Sequence, residues 1–302
     1  MKTRTVRVIL GGGLGNQLFM YAAGRALAAR ARAKLVLDTS RFRLDRAYRR
    51  VYLLDQFPIV AGVVHDGAVA RLRLNAERVL RRFPAMASRF GLWDEPVCNG
   101  VPVYDHRLVE PSALRSISLR GNWQSDQYFR DHADLIRKEL FPREPLDLVA
   151  QRELSQVRDS ANPVAVGIRF YREVPGEPLD PRVIISAYRR HLASCEQSGF
   201  RGDYFVFSEE PSYFGDPSCL GVPFTLITHR PRNEDAPVNL RVMAECRTFV
   251  IGYSSYHWWG TWLAAPSGKS VTYLRFPGRP DHEYAAEGWT RAPARTEERS
   301  RY

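Results

Sequence analysis

Lysine is scarce in this 302-residue chain, where Lys2, Lys34, Lys138 and Lys269 are the only four. Closely spaced cysteines are missing altogether. Cys98, Cys195, Cys219 and Cys246 lie far apart without a C-x-x-C, which excludes a zinc ribbon and suits the reduced thiols of a cytoplasmic protein. No run approaches the ~20 apolar residues that a membrane span requires. The N-terminal MKTRTVRVILGGG has only a short apolar run before its glycines, too short for a signal-peptide core. No zinc-finger spacing, ribonucleoprotein motif or helix-turn-helix pattern is present, so a nucleic-acid partner is not expected.

What is present is enough to build cores. Hydrophobic residues make up 44% and aromatics 12%, which rules out global disorder. The formal charge is +11, from 44 basic and 33 acidic residues. Arginine in place of lysine is what a coding sequence rich in G and C would produce, so the bias itself carries little, while the placement of the arginines is informative. Between Arg41 and Arg89 there are eleven of them against Asp45, Asp55, Asp66 and Glu77, a surplus of seven. A basic stretch of this kind is expected to meet an anionic surface, such as a membrane or a lipid-linked glycan. Neutralising Arg71, Arg73, Arg81 and Arg82 would test that expectation.

The order of short apolar runs and helical periodicities predicts an α/β chain. Val6–Leu10 reads as a buried strand, LGNQLFMYAAGRALAARARA as a helix, and Lys34–Asp38 as a second strand. Arg115–Leu119 is a further strand, followed by the loop GNWQSDQYF and a helix from Tyr128 to about Leu140. A second series begins with Val164–Arg169 and continues through a helix over Pro181–Ser194 and strands at Asp203–Ser208 and Phe224–Ile227. It ends with a helix over Val238–Cys246, strands at Thr248–Gly252 and Val271–Leu274, and a helix opening at Trp258. Pro142 and Pro145 mark the break. Two Rossmann-like domains facing a cleft are expected, over 1–150 and 151–302.

Three stretches carry chemistry. Gly11–Gln17 (GGGLGNQ) joins a strand to a helix, where glycines let backbone approach a ligand and the helix start offers unpaired N–H groups. Asn16 stands where a dinucleotide fingerprint needs its third glycine, and no G-K-[ST] follows. A tight turn that merely packs helix on strand is the competing reading, while the side-chain amides of Asn16 and Gln17 favour a binding loop. Gly252–Trp262 (GYSSYHWWGTW) sets Ser254 and Ser255 at another helix start, where they could cap the helix or donate to a phosphate; the tryptophans read as core. In Val164–Glu177, Arg169 emerges at the C-terminal end of a buried strand, where α/β sheets hold ligands. Arg172 is a second anion grip, and Glu173 and Glu177 are candidate general bases.

Read together, GGGLGNQLFMYAAGRALA, SLRGNWQSDQYF, YFVFSEEPSYF and NLRVMAECRTFVIGYSSYHWWGTWLA resemble the bacterial α1,2-fucosyltransferases of glycosyltransferase family 11. The corresponding family patterns are G-L-G-N-Q-[LM]-F-Q-Y-A, G-Y-W-Q-S-x-x-Y-F, F-S-D-D and L-M-S-x-C-x-x-x-I-x-x-N-S-S-F-S-W-W-G-A-W-L, met in the same order over residues 9–265. The family's H-x-R-R-x-D signature falls on Gly167, Arg169, Phe170 and Arg172, so only its first arginine is kept. The resemblance implies a GT-B-like glycosyltransferase that moves L-fucose from GDP-fucose, with inversion, to a glycan hydroxyl such as the 2-OH of galactose. It implies an N-terminal acceptor-side domain and a C-terminal donor domain, with surface polysaccharide or lipopolysaccharide as the product.

The resemblance gives Arg169 the donor phosphate and places Gly13, Gly15, Asn16, Gln17, Ser208, Glu209, Ser254 and Ser255 on the donor, with Trp123 and Gln124 toward the acceptor. No D-x-D occurs, so neither a metal nor another cofactor is expected. The motif's lost residues favour, as an alternative, a protein that uses another donor or only binds a nucleotide sugar or glycan. A Rossmann oxidoreductase is a weaker alternative, lacking its fingerprint.

Overall fold

The computed structural model describes residues 4–46, 49–65, 67–98, 101–110, 114–142, 146–170, 179–227, 236–276 and 285–293. Two compact units divide the chain at Phe141/Pro142. The break precedes residue 150 because the helix that follows the proline segment packs within the second unit.

The first unit runs β1 (Thr5–Ile9), α1 (Leu14–Arg30), β2 (Lys34–Asp38), β3 (Gly62–Val64), α2 (Ala68–Leu80), α3 (Pro84–Arg89), β4 (Leu92–Asp94), β5 (Val97–Cys98), β6 (Val101–Pro102), β7 (Ser116–Arg120) and α4 (Ala133–Leu140). Its main sheet is parallel with the order β3-β2-β1-β7-β4, and β5 and β6 form a separate antiparallel ribbon. Parallel neighbours need crossover connections, so helices cover the sheet and its central strands become apolar runs. The helix expected from Tyr128 begins later, at Ala133, after short 3-10 turns over Asp126–Tyr128 and Arg130–His132.

An ionic cluster ties α2 to this sheet. The guanidinium of Arg7, on β1 and 2% exposed, pairs with Asp38 of β2 and with Glu77 of α2, and donates to Ser118 Oγ of β7 at 3.0 Å. Arg81 closes the cluster, pairing with Asp94 of β4 and lying 3.7 Å from Glu77. Arg81 was expected among the free basic residues of the surface. Its side chain is instead buried, because α2 is held by charge pairs rather than by an apolar face.

The second unit runs α5 (Leu148–Asp159), β8 (Pro163–Ile168), α6 (Pro181–Gln197), β9 (Asp203–Ser208), β10 (Phe224–Ile227), α7 (Ala236–Ala244), β11 (Thr248–Ile251), α8 (Ser255–Leu263), β12 (Ser270–Arg275) and β13 (Thr290–Pro293). Its sheet is wholly parallel in the order β10-β9-β8-β11-β12-β13. Numbered within the unit this is 3-2-1-4-5-6, the doubly wound order in which a ligand site opens where strand order reverses, here between β8 and β11. Val164, Val166, Ile168, Phe170, Tyr188, Val206 and Leu274 are among its core residues. Trp258, Trp259 and Trp262 are buried as expected, with Trp258 and Trp262 stacked at 6.0 Å. All four cysteines are unpaired. Among the described residues no helix is long and apolar enough to cross a membrane.

Candidate functional site

In the second unit the strand-order reversal determines which sequence signals meet. β8 ends at Ile168, so Arg169 leaves the sheet at its C-terminal edge, beside the β9 end where Ser208 pairs in register with Ile168. Arg169 Nε lies 3.4 Å from Glu209 Oε1, and the same oxygen accepts the Phe170 N–H at 2.7 Å. Burial pushes the Glu209 carboxyl above the usual carboxylate range; the Arg169 charge and the Phe170 amide pull it back without cancelling the shift. Ser208 is 1% exposed, and its Oγ accepts the Glu210 N–H at 3.2 Å, so its hydroxyl shapes the turn.

On the other side of β8, β11 delivers the start of α8. Ser254 is the N-cap, its Oγ accepting the His257 N–H at 3.3 Å, which is the capping role weighed against phosphate binding. Ser255 is half-buried in the first turn. The first-turn N–H groups of α8 and the Arg169 guanidinium therefore stand on adjacent strand ends, which can receive an anionic group.

His257 is a further candidate that the motifs did not single out. Its ring, 4% exposed, fills the space a side chain at 167 would need: a Cβ built on Gly167 would meet His257 Cγ at 2.8 Å and Nδ1 at 2.9 Å. The H-x-R pattern puts histidine at 167 and the S-S-F-S-W-W pattern puts serine at 257. Here the two positions carry glycine and histidine, so the imidazole is lost at one and present at the other. The signal was in the sequence, but only the fold brings positions 90 residues apart into contact. Tyr188 completes this end of the strand, its hydroxyl donating to the Gly167 carbonyl at 2.7 Å; burial raises its pKa well above the ordinary tyrosine value.

The first unit has its own strand-order reversal, between β1 and β7, where the GGGLGNQ and GNWQ loops emerge. Gly12 has φ +74, a left-handed conformation that glycine adopts without strain, and Asn16 Nδ2 lies over it. Asn16 Oδ1 accepts from Gln124 Nε2 at 2.9 Å, so two residues expected to face different substrates are joined by one hydrogen bond. Gly13 is the N-cap of α1 and has no side-chain cap; Gly15 is buried in the first turn.

Gln17 is committed elsewhere. Its Nε2 donates to the carbonyls of Gly12 at 3.0 Å and Val51 at 2.8 Å, and its Oε1 accepts the Leu53 N–H at 3.0 Å. Fully buried, it supports the loop from behind. Trp123, expected toward the acceptor, is 0% exposed and meets Tyr128 edge-on at 5.7 Å. Its ring is core, leaving Gln124 as the half-buried residue of that pair.

Glu95 was also not anticipated. Its carboxylate accepts the N–H groups of Asn122 at 2.8 Å and Trp123 at 2.7 Å, holding Trp123 at φ +53, a left-handed conformation that a bulky residue adopts only at a cost. Burial raises the pKa of Glu95 while the amides of 122–124 lower it. Arg41 and Arg50 lie against the glycine turn, with Arg41 Cδ and Arg50 Nη1 each 3.7 Å from where a Cβ on Gly11 and Gly13 would stand. Two of the eleven clustered arginines thus border the loop.

Glu173, Glu177 and Arg172 lie outside the described residues. Among the described residues no three His, Cys, Asp or Glu side chains come together as a metal site.

No family model matches the chain. It is 24% identical over 266 residues to an Escherichia coli alpha-1,2-colitosyltransferase, covering 84% of this chain and 86% of that protein. It is 23% identical to the Escherichia coli O-antigen biosynthesis glycosyltransferase WbnK, covering 93% and 98%. Among solved structures it resembles the fucosyltransferase NodZ from Bradyrhizobium, with 13% identity and a TM-score of 0.51 over 87% of this chain and 93% of that one. NodZ alpha-1,6-fucosyltransferase soaked with GDP-fucose gives 12% identity and a TM-score of 0.50 over 87% and 93%. The two parallel α/β units have the fold of GT-B glycosyltransferases, as the sequence resemblance implied.

Proposed function

We propose that this chain is a glycosyltransferase of surface-polysaccharide synthesis that moves L-fucose, or a related 6-deoxysugar, from a GDP-linked donor to a hydroxyl of a glycan or lipid-linked oligosaccharide. The observation that carries the reading is Arg169, set at the strand-order reversal of the second unit beside the start of α8. Two sugar-transferring relatives aligned over most of the chain support it.

In this reading the leaving GDP is the chemical difficulty. Inverting transfer passes through an oxocarbenium-like state in which negative charge develops on the departing phosphate, and fixed donors stabilise that charge most where water is excluded. Arg169 grips the phosphate in two parallel hydrogen bonds, Ser255 and the first-turn N–H groups of α8 add dipoles, and Glu209 fixes the guanidinium. Ser254 acts by capping α8. The glycine turn, Asn16 and Gln124 form the binding surface of the first unit, with Gly15 and Gln17 behind it. The acceptor hydroxyl must lose a proton, and Glu173 or Glu177 takes it. Transfer needs no metal in this reading and continues in EDTA.

A donor other than GDP-fucose is the second reading, motivated by the Gly167/His257 pair beside Arg169 and by a relative named for colitose. A thermal-shift panel of GDP-sugars followed by product analysis separates the cases. A true donor at 100 times its Kd raises stability by about 2.7 kcal/mol and yields product with a galactoside. Stabilisation without turnover would support a binding protein instead, and failure of every GDP-sugar would refute the proposal.

A further inference from the structure

We propose that α2 and α3 of the first unit form a docking surface for an anionic phospholipid bilayer, with apolar side chains entering the lipid and arginines meeting the headgroups. The usual amphipathic helix buries its apolar face and exposes its polar one. α2 does the opposite. Among its described side chains the buried one is Glu77, paired with Arg7, and Arg73, 3.2 Å from Glu77, and Arg81 are drawn to the same charge cluster. Val69, Leu72, Ala76 and Val79 follow at alternating spacings of three and four on one face of α2, Phe83 follows in the turn before α3, and all five are exposed. Val69 is 82% exposed, Leu72 73% and Phe83 56%. α3 and its end extend the surface with Met86 and Phe90, also exposed.

The charge beside this stripe identifies what covers it. Arg78, seven residues after Arg71, lies on the adjoining face of α2, Arg82 follows in the turn after that helix, and Arg89 joins them from α3; all three are exposed. No acidic side chain of α2 or α3 points to that side, since their one acid, Glu77, is turned inward. A stripe of large apolar residues flanked by arginine is the pattern of a helix lying in a membrane interface, and the basic flank selects an anionic leaflet. The expectation of membrane contact rested on net charge over residues 41–89. The structure narrows it to the exposed arginines and adds an apolar stripe that charge alone does not reveal.

The test is co-sedimentation of the full chain with vesicles of phosphatidylcholine alone and of phosphatidylcholine mixed with phosphatidylglycerol. Two triple variants accompany the wild type, Leu72→Ser/Phe83→Ser/Phe90→Ser and Arg78→Gln/Arg82→Gln/Arg89→Gln. All six sites are exposed, and circular dichroism checks that both variants fold. The wild type is expected to bind only the anionic vesicles. Each neutralised arginine is expected to weaken partitioning roughly five-fold, so about a hundred-fold for the three. The serine variant is expected to lose binding as well, and to do so at low salt where electrostatic attraction is strongest. Turnover on a water-soluble acceptor stays unchanged in both, which separates failure of this surface from failure of the transferase reading. Binding that survives the serine substitutions would overturn the proposal, as would no binding by the wild type. A concentration-dependent dimer that the serine variant abolishes would also overturn it, because the stripe would then cover a second copy.

Discussion

Gly167→Ala offers a quantitative test of how the second unit holds Arg169. The new Cβ would stand 2.8 Å from His257 Cγ, 2.9 Å from Nδ1 and 3.0 Å from Cβ, whereas carbon atoms settle at about 3.5–4.0 Å. Neither partner can step aside cheaply. β8 is paired on both sides, Gly167 opposite Phe207 on β9 and Ile251 on β11, and Tyr188 holds its carbonyl. The His257 ring lies in a buried first turn. Overpacking of this kind costs about 1–3 kcal/mol, which for a unit of this size lowers the unfolding temperature by roughly 2–4 °C per kcal/mol.

Arg169 is two residues downstream, so a small displacement of the strand end also lowers kcat/KM for the donor, by up to ~100-fold for a shift near 1 Å. His257→Ala removes the two closest contacts, those with the ring, and leaves only the Cβ at 3.0 Å. The double variant Gly167→Ala/His257→Ala is therefore predicted to be more stable than the sum of the single losses, with a coupling of about 1–3 kcal/mol in denaturant titrations. Gly167→His alone is predicted to fail, and Gly167→His/His257→Ser to fold and act. Additive single effects, or an alanine at 167 that changes neither stability nor turnover, would refute the contact.

Glu209→Gln removes a carboxyl held above its ordinary range by burial. The native state binds the proton more tightly than the unfolded chain, so wild-type stability falls as pH rises from the ordinary value of 4.5 through the raised one. Urea titrations across that window should show this slope in the wild type and its loss in the variant; an unchanged slope would contradict the assignment. Glu95→Ala strands the amides of Asn122 and Trp123 and should cost about 1–3 kcal/mol, read as a lower denaturation midpoint. Glu173→Gln and Glu177→Gln separate the candidate bases, since one is expected to depress kcat with little change in donor KM; two harmless substitutions would exclude both.

The central strands were legible because burial on both faces leaves apolar runs. Lys34–Asp38 and Asp203–Ser208 coincide with the strands found, and Phe224–Ile227 matches the edge strand β10 through its apolar, β-branched composition. β3 and β4, three residues each, and β13 at the sheet edge carry too few buried positions to leave a pattern. The candidate residues were legible where local motif and strand end coincide, as at Arg169 and Asn16. They were not where the local geometry depends on pairing at a distance. Glu95 acts on a loop 27 residues away, and His257 is fitted to a glycine 90 positions earlier. Trp123 and Gln17 look like ligand contacts in a motif, and only the packing turns both inward.

The most direct test of the account is kcat/KM for sugar transfer from GDP-fucose to a soluble galactoside, wild type against Arg169→Ala. The Arg169 side chain is 26% exposed, so the variant is expected to fold. Loss of a donor that stabilises the departing phosphate should lower kcat/KM by about 100–1,000-fold, with lysine at the position restoring part of it. An alanine variant that turns over like the wild type would contradict the claim that Arg169 carries the leaving GDP.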